Sequence, residues 1–153
     1  MRLRVIAVGK IRERYVAAAC DDFRTRLAPM LPYDEAEVRA ADGSDPKAAM
    51  RDEAARILTL LRPHEPMWLL ERSGEMIDSP TLARRLDDIS NSGVSRLNLV
   101  IAGTFGADAS LLARATWRWS LSPLTFLHEW ARMLVLEQLY RAAKIARNEP
   151  YHH

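Results

Sequence analysis

Three short segments carry the side chains best suited to holding a ligand. Glu71-Arg72-Ser73-Gly74-Glu75 follows the apolar run Met67-Trp68-Leu69-Leu70. Its glycine permits a tight turn or the close approach of a ligand, although a plain surface loop is the ordinary reading. Ile101-Ala102-Gly103-Thr104-Phe105-Gly106 closes a second apolar run, and its two glycines bracket a turn whose backbone amides could face a ligand. The spacing is neither that of a dinucleotide fingerprint nor that of a P-loop. Ser120-Leu121-Ser122-Pro123-Leu124-Thr125-Phe126 mixes small hydroxyls with apolar side chains, a composition suited to an adenine ring with polar atoms beside it. The plainer alternative is a helix-capping stretch with Thr125 as N-cap.

Proton-moving and charge-stabilising groups gather toward the end of the chain. A long helical pattern runs from about His128 to Arg147, with Glu137 and Arg141 four apart and Arg141, Lys144 and Arg147 at spacing three. Positive charge at a helix C-terminus is favoured by the helix dipole, so a solvated face is the ordinary reading. Trp130, Met133, Leu134, Leu136, Leu139 and Tyr140 give the helix more apolar surface than one contact with a sheet requires, which points to a partner subunit. Beyond it stand Asn148-Glu149-Pro150-Tyr151-His152-His153, aromatic and imidazole groups that are odd in a terminus that merely frays. His128, at the helix start, could act as a base but equally could cap or pack.

The elements that must position these groups follow from periodicity. Leu3 to Val8 reads as a strand, and Gly9-Lys10 leads into a helix carrying Tyr15, Val16, Ala19, Phe23 and Leu27. Pro29 and Pro32 interrupt, Ala36 to Ala40 alternates as a strand, and Gly43-Ser44-Asp45-Pro46 reads as a turn and cap before a helix through Ala54, Ile57, Leu58 and Leu61. The cycle returns with a strand at Met67 to Leu70 and a helix from Ser79, then a strand at Leu97 to Ala102 and a helix from about Asp108. The last helix is closed by Pro150. Alternating strands and helices predict a parallel sheet covered on both faces. Ligands of such sheets bind beyond the carboxyl ends of the strands, here after Leu70, Ala102 and Leu121, and those are the three segments singled out above.

Composition narrows the class. The chain has 153 residues, 48% hydrophobic and 27% charged, enough for a core in one globular domain spanning 1–153. No apolar run reaches membrane-spanning length and the beginning is too short for a signal peptide, so a soluble cytoplasmic protein is expected. A single cysteine, Cys20, allows neither a disulfide framework nor a thiolate metal site. A net charge of +2 excludes binding of nucleic acid by bulk electrostatics and leaves that task to local basic clusters.

Taken together these segments resemble the RlmH family of the SPOUT methyltransferases over the whole chain. The resemblance is carried by Ser120-Leu121-Ser122, Leu124-Thr125-Phe126, His128, Arg132, Glu137-Gln138, Leu139-Tyr140-Arg141-Ala142 and Pro150-Tyr151-His152, in that order. Weaker support comes from Ala7-Val8-Gly9-Lys10, Leu70, Gly74, Ile101, Gly103 and Gly106. Four positions depart from the usual pattern: Ala102 replaces Gly, Phe105 an acidic residue, Leu127 Pro, and His153 Lys or Arg.

The resemblance implies an α/β fold whose C-terminal region is threaded as a trefoil knot, a rare exception to unknotted topology. It implies S-adenosylmethionine bound in bent form against Leu70, Gly103 and Ser122, Pro123, Leu124, Thr125, Phe126 and Leu127. It also implies methylation at N3 of a pseudouridine in 23S rRNA. His152 is then the candidate base, Arg141 the candidate stabiliser of the imide anion, and Tyr151 a candidate for stacking on a base. No metal is called for. A homodimer is expected, with the second protomer's tail and helix completing the site and the assembled 70S ribosome as substrate. Action on another RNA, such as transfer RNA, and a non-catalytic ribosome-binding module are the alternatives.

Overall fold

The computed structural model describes all residues, 1–153. In chain order the elements are β1 (Arg2–Val8), α1 (Arg14–Leu27), β2 (Tyr33–Val38), α2 (Pro46–Leu58), β3 (Met67–Met76), α3 (Ser79–Asn91), β4 (Arg96–Ile101), α4 (Ala109–Arg114), β5 (Trp117–Ser120) and α5 (His128–Ala146). The strands form one sheet in the order β2-β1-β4-β3-β5. Every pairing is parallel.

Side-chain alternation along the central strands builds a core on each face. Leu3, Val5 and Ala7 of β1 and Leu97, Leu99 and Ile101 of β4 turn toward a cluster shared with Leu27 of α1, Leu82 of α3 and Val135 and Leu139 of α5. Ile6, Val8 and Val100 turn the other way, toward Ile57 of α2 and Leu111 of α4. Helices α1, α3 and α5 therefore cover one face, and α2 and α4 the other. Three helices open on aspartate caps, with Asp45, Asp78 and Asp108 accepting from the amides of Lys47, Thr81 and Ser110. Cys20 is buried core, as its place in a helix suggests.

Three boundaries differ from the periodic reading, each for a long-range reason. β2 runs from Tyr33 to Val38 rather than from 36 to 40. Its register follows β1 from Leu3 opposite Tyr33 to Val8 opposite Val38, and β1 ends where Gly9 takes φ +77°. The segment 71–75 is not a loop but the far part of β3. Trp119 lies opposite both Leu70 and Glu75, so four residues are inserted as a bulge. Gly74 serves backbone packing, not a turn, since a Cβ there would lie 2.6 Å from the carbonyl oxygen of Arg118. Pro150 does not close α5: Asn148, at φ +53°, reverses the chain, with its amide bonded to Ile145 O and that of Glu149 to Lys144 O. That is a Schellman C-cap with asparagine in the left-handed position.

Candidate functional site

The carboxyl ends of the neighbouring strands β4, β3 and β5 bring the three suspect segments to one place. Residues Leu70–Ser73, Ile101–Ala107, Leu121, Ser122 and Leu124–Phe126, together with Leu112, Arg118, His128 and Ala131, line a cleft of about 560 Å³. That is the size of small-molecule sites, which run roughly 300–1,000 Å³. Leu70, Ile101, Leu121, Leu124 and Phe126 supply apolar wall; Arg72, Ser73, Thr104, Ser122, Thr125 and His128 supply polar groups. An apolar wall with polar groups beside it suits a small ligand that has both an apolar and a polar part.

The cleft wall is held by short-range bonds. Ser120 Oγ shares its one proton between the carbonyl oxygens of Arg72 (2.8 Å) and Ser122 (3.1 Å), tying β5 to the β3 bulge. Ser122 Oγ accepts from the amide of Leu124 at 3.0 Å, and Arg72 Nη1 donates to Thr125 Oγ1 at 3.4 Å. Thr125 is not the N-cap of α5. Leu127 takes that position in extended conformation without a side-chain cap, and the amide of Ala131 reaches its carbonyl.

The glycine turn has a supporting layer that sequence alone did not show. The buried carboxylate of Glu53, on α2, accepts from the amide of Ala41 at 3.1 Å, and its second oxygen lies where a Cβ on Gly103 would fall, 2.5 Å away. Gly103 is thus required by what lies behind the turn. Gly106 sits at φ +92°, whereas Ala102 is not at positive φ, so its methyl group in place of the family's glycine strains nothing.

A second cluster forms at the other end of α5. Glu137 Oε1 accepts from Arg141 Nε (3.0 Å), Arg141 Nη2 (2.6 Å) and the Tyr151 hydroxyl (3.3 Å). Tyr151 packs edge-on against Tyr140 with ring centroids 4.7 Å apart, and the Arg141 guanidinium lies 4.8 Å from the Tyr151 ring centroid. Arg141 Nη1 stands 3.5 Å from His152 Nδ1. Burial, with the Glu137 carboxylate adding to it, raises the Tyr151 pKa and keeps it a phenol. Hydrogen bonds from Thr81 hold Asp78, the cap of α3, below the usual carboxylate range.

The tail is therefore ordered by its own chemistry. Nor is the basic end of α5 a bare solvated face: Arg141 pairs with Glu137, Lys144 with Glu149 at 2.6 Å, and Arg147 donates to Met30 O. The Lys144–Glu149 bond raises the one pKa and lowers the other.

The nominated residues thus divide in two. Leu70, Gly103, Ser122, Leu124, Thr125 and Phe126 line the cleft, while Pro123 and Leu127 shape the same segment without lining it. Arg141, Tyr151 and His152 meet one another but do not line it. Arg141 follows the cleft residue His128 by thirteen positions of one helix, an axial distance of about 20 Å at 1.5 Å per residue. Arg118 of the cleft went unremarked, and only the β3–β5 pairing could have revealed it.

Most of the apolar surface of α5 is spent within the chain, since Leu136, Leu139 and Tyr140 are buried. What stays outside lies beside the cleft. Tyr15 is 58% exposed, Trp130 40%, Leu127 67% and Leu124 71%, and the Tyr15 and Trp130 rings meet edge-on. No helix is long and apolar enough to cross a membrane, and no group of three or more His, Cys, Asp or Glu is placed to hold a metal ion.

Comparison with known proteins bears on this geometry. The family model described as "Predicted SPOUT methyltransferase" matches residues 1–152. The Ribosomal RNA large subunit methyltransferase H of Pelobacter propionicus is 41% identical over 153 residues, covering all of both chains. The protein of the same name from Geotalea daltonii is 40% identical over the whole of both chains. That of Gloeobacter violaceus is 39% identical over all of this chain and 99% of its own.

Proposed function

This chain belongs to the SPOUT methyltransferase family, and from that premise we propose that it carries the methyl group of S-adenosylmethionine to N3 of a pseudouridine in 23S rRNA of the assembled ribosome. The observation that carries the reading is the division of the site. The start of α5 borders a cleft fit for the cofactor, and Arg141, about 20 Å of helix beyond His128, meets Tyr151 and His152. Within one chain the rise of the helix sets the two groups apart. A homodimer can bring them together, by setting the tail of one protomer over the cleft of the other. The exposed Tyr15, Trp130, Leu124 and Leu127 beside the cleft supply the apolar contact such a dimer needs.

In this reading Leu70, Phe126 and Leu124 receive the heterocycle, Gly103 and Ser122 present backbone and hydroxyl, and Thr125 and Arg72 close the mouth; Pro123 and Leu127 fix the path of the segment. When bound, S-adenosylmethionine supplies a methyl group on a sulfonium that loses its charge on transfer, which calls for alignment and exclusion of water and no metal. From the partner protomer His152 takes the imide proton, Arg141 stabilises the anion left on the pyrimidine, and Tyr151 stacks on a neighbouring base. The trefoil knot belongs to the same reading. What supports it is the family match, with the segment 121–127 tied by Ser120 and Arg72 to the β3 bulge and lining one cleft with the turn 102–106. A single domain over 1–153 and a cytoplasmic location, where ribosomes are, belong to that reading too. The printed name shared by the relatives supports ribosomal RNA as substrate.

The test is transfer of label from S-adenosylmethionine to 70S ribosomes, separated subunits and transfer RNA. Label in large-subunit RNA of 70S particles, resistant to further methylation at N3, is the expected result. Label confined to transfer RNA would move the substrate, and binding to ribosomes without label would make the protein a non-catalytic module.

A further inference from the structure

We propose that Glu137 is the positioning residue of the RNA-facing half of the site, the one carboxylate that sets Arg141, Tyr151 and His152 in a single array. The proposal rests on the reading that these three act on the substrate of the partner's cleft.

A bare Glu–Arg pair four residues apart on an exposed helix is a weak and common feature. Glu137 differs from such a pair in what else it binds. One oxygen, Oε1, accepts two donors from Arg141, at 3.0 and 2.6 Å, and also the hydroxyl of Tyr151 from outside the helix, at 3.3 Å. The other, Oε2, accepts from Gln138 Nε2 at 2.6 Å, and Gln138 Oε1 in turn accepts from Ser79 Oγ at the start of α3, also at 2.6 Å. The carboxylate is thus referenced to α3, to its own helix and to the tail, and its side chain is only 17% exposed.

What this does to Arg141 is geometric. With Nε and Nη2 both engaged, the guanidinium plane is fixed, and Nη1 is the end left toward His152 Nδ1, 3.5 Å away. The same plane lies against the Tyr151 ring. Without the carboxylate, the long arginine side chain and the tail beyond Asn148 each regain rotamer freedom, and an anion-stabilising donor misplaced by about 1 Å can cost about 100-fold in rate.

The experiment compares Glu137→Gln, Glu137→Ala, Arg141→Ala and the Glu137→Ala/Arg141→Ala double variant. The readouts are kcat and KM on 70S ribosomes, calorimetric affinity for S-adenosylmethionine, and amide hydrogen exchange over residues 148–153. Glu137→Ala is expected to lower kcat about 10- to 100-fold with cofactor affinity unchanged and tail exchange faster. Glu137→Gln, whose amide oxygen still accepts from Arg141, is expected to fall between it and the parent. The double variant is expected to lose clearly less than the two single losses combined, because Glu137 acts largely through Arg141 and its bond to Tyr151 adds only the remainder. A kcat for Glu137→Ala within about twofold of the parent, or additive losses in the double variant, would overturn the proposal while leaving the underlying reading in place. Full activity of Arg141→Ala would instead remove that reading.

Discussion

The two ends of α5 are built on opposite plans. At its start, the cleft between the β3 bulge, the Gly103–Gly106 turn and the 121–127 segment leaves Phe105, Leu124, Phe126 and Leu127 exposed, and its polar side chains Arg72, Ser73, Arg118, Ser122 and Thr125 bond only to other residues of the cleft wall. Farther along, Glu137 binds Arg141 and Tyr151, Arg141 meets His152, and the chain is folded back by a left-handed Asn148. An open pocket lined by apolar surface is made to be covered by a ligand and a neighbour; a closed polar array is made to be presented whole. The contrast explains how a small chain of nearly neutral net charge can address RNA. It places a few well-oriented groups, and in the proposed dimer the second protomer would supply the remaining surface.

The largest expected effect separates the two ends most sharply. Arg141→Ala or His152→Ala should lower methyl transfer by about 100-fold or more while calorimetry finds the affinity for S-adenosylmethionine unchanged, since neither residue touches the cleft. Weakened cofactor binding in these variants would mean that the ends are not separate. The converse damage comes from Gly103→Val, whose Cβ would meet the Glu53 carboxylate and, at 3.2 Å, Val8 Cγ1. Such overpacking costs about 1–3 kcal/mol of stability. Cofactor affinity should be lost with it, and hydrogen exchange of the tail should not move. The contact between ends is addressed by Leu127→Asp with Trp130→Asp, which should turn a dimer into monomers in sedimentation and stop turnover while the isolated cleft still binds cofactor.

The smallest effect lies outside both ends. Burial, reinforced by the neighbouring Glu35 carboxylate, raises the Tyr33 pKa far above its ordinary value. The folded state therefore keeps a proton that the unfolded chain gives up. This contribution to stability is complete below about pH 10 and lost as the pH rises further. Tyr33→Phe should flatten the alkaline decline in melting temperature, and turnover at neutral pH should be untouched.

Much of this was legible in the residues themselves. The alternation of Leu3 to Val8 and the apolar run Leu97 to Ile101 mark buried parallel strands, and Asp45-Pro46 marks a helix start, because these signals are local. What stayed hidden depends on distant partners. Glu71 to Glu75 has the composition of a loop, yet pairing with Trp119 and Ser120 draws it into β3. Thr125 has the chemistry of a cap, yet α5 starts two residues later because the segment is held against Arg72 and Ser120. Glu137 looked like half of a helix-surface pair until the tail returned to it. Pro150 drew attention that belonged to Asn148, since asparagine in the left-handed region is set by the fold around it.

The central claim, that one protomer's cleft works with the other's tail, is tested most directly by mixing two inactive proteins. Ser122→Trp fills the cleft, and Arg141→Ala empties the tail array. Allowed to exchange subunits at equal concentration, with mixed dimers verified by native mass spectrometry, they should recover methyl transfer to 70S ribosomes in about a quarter of all sites, because each mixed dimer holds one intact pairing. Mixed dimers that form and stay inactive would contradict the account and place the whole site within a single chain.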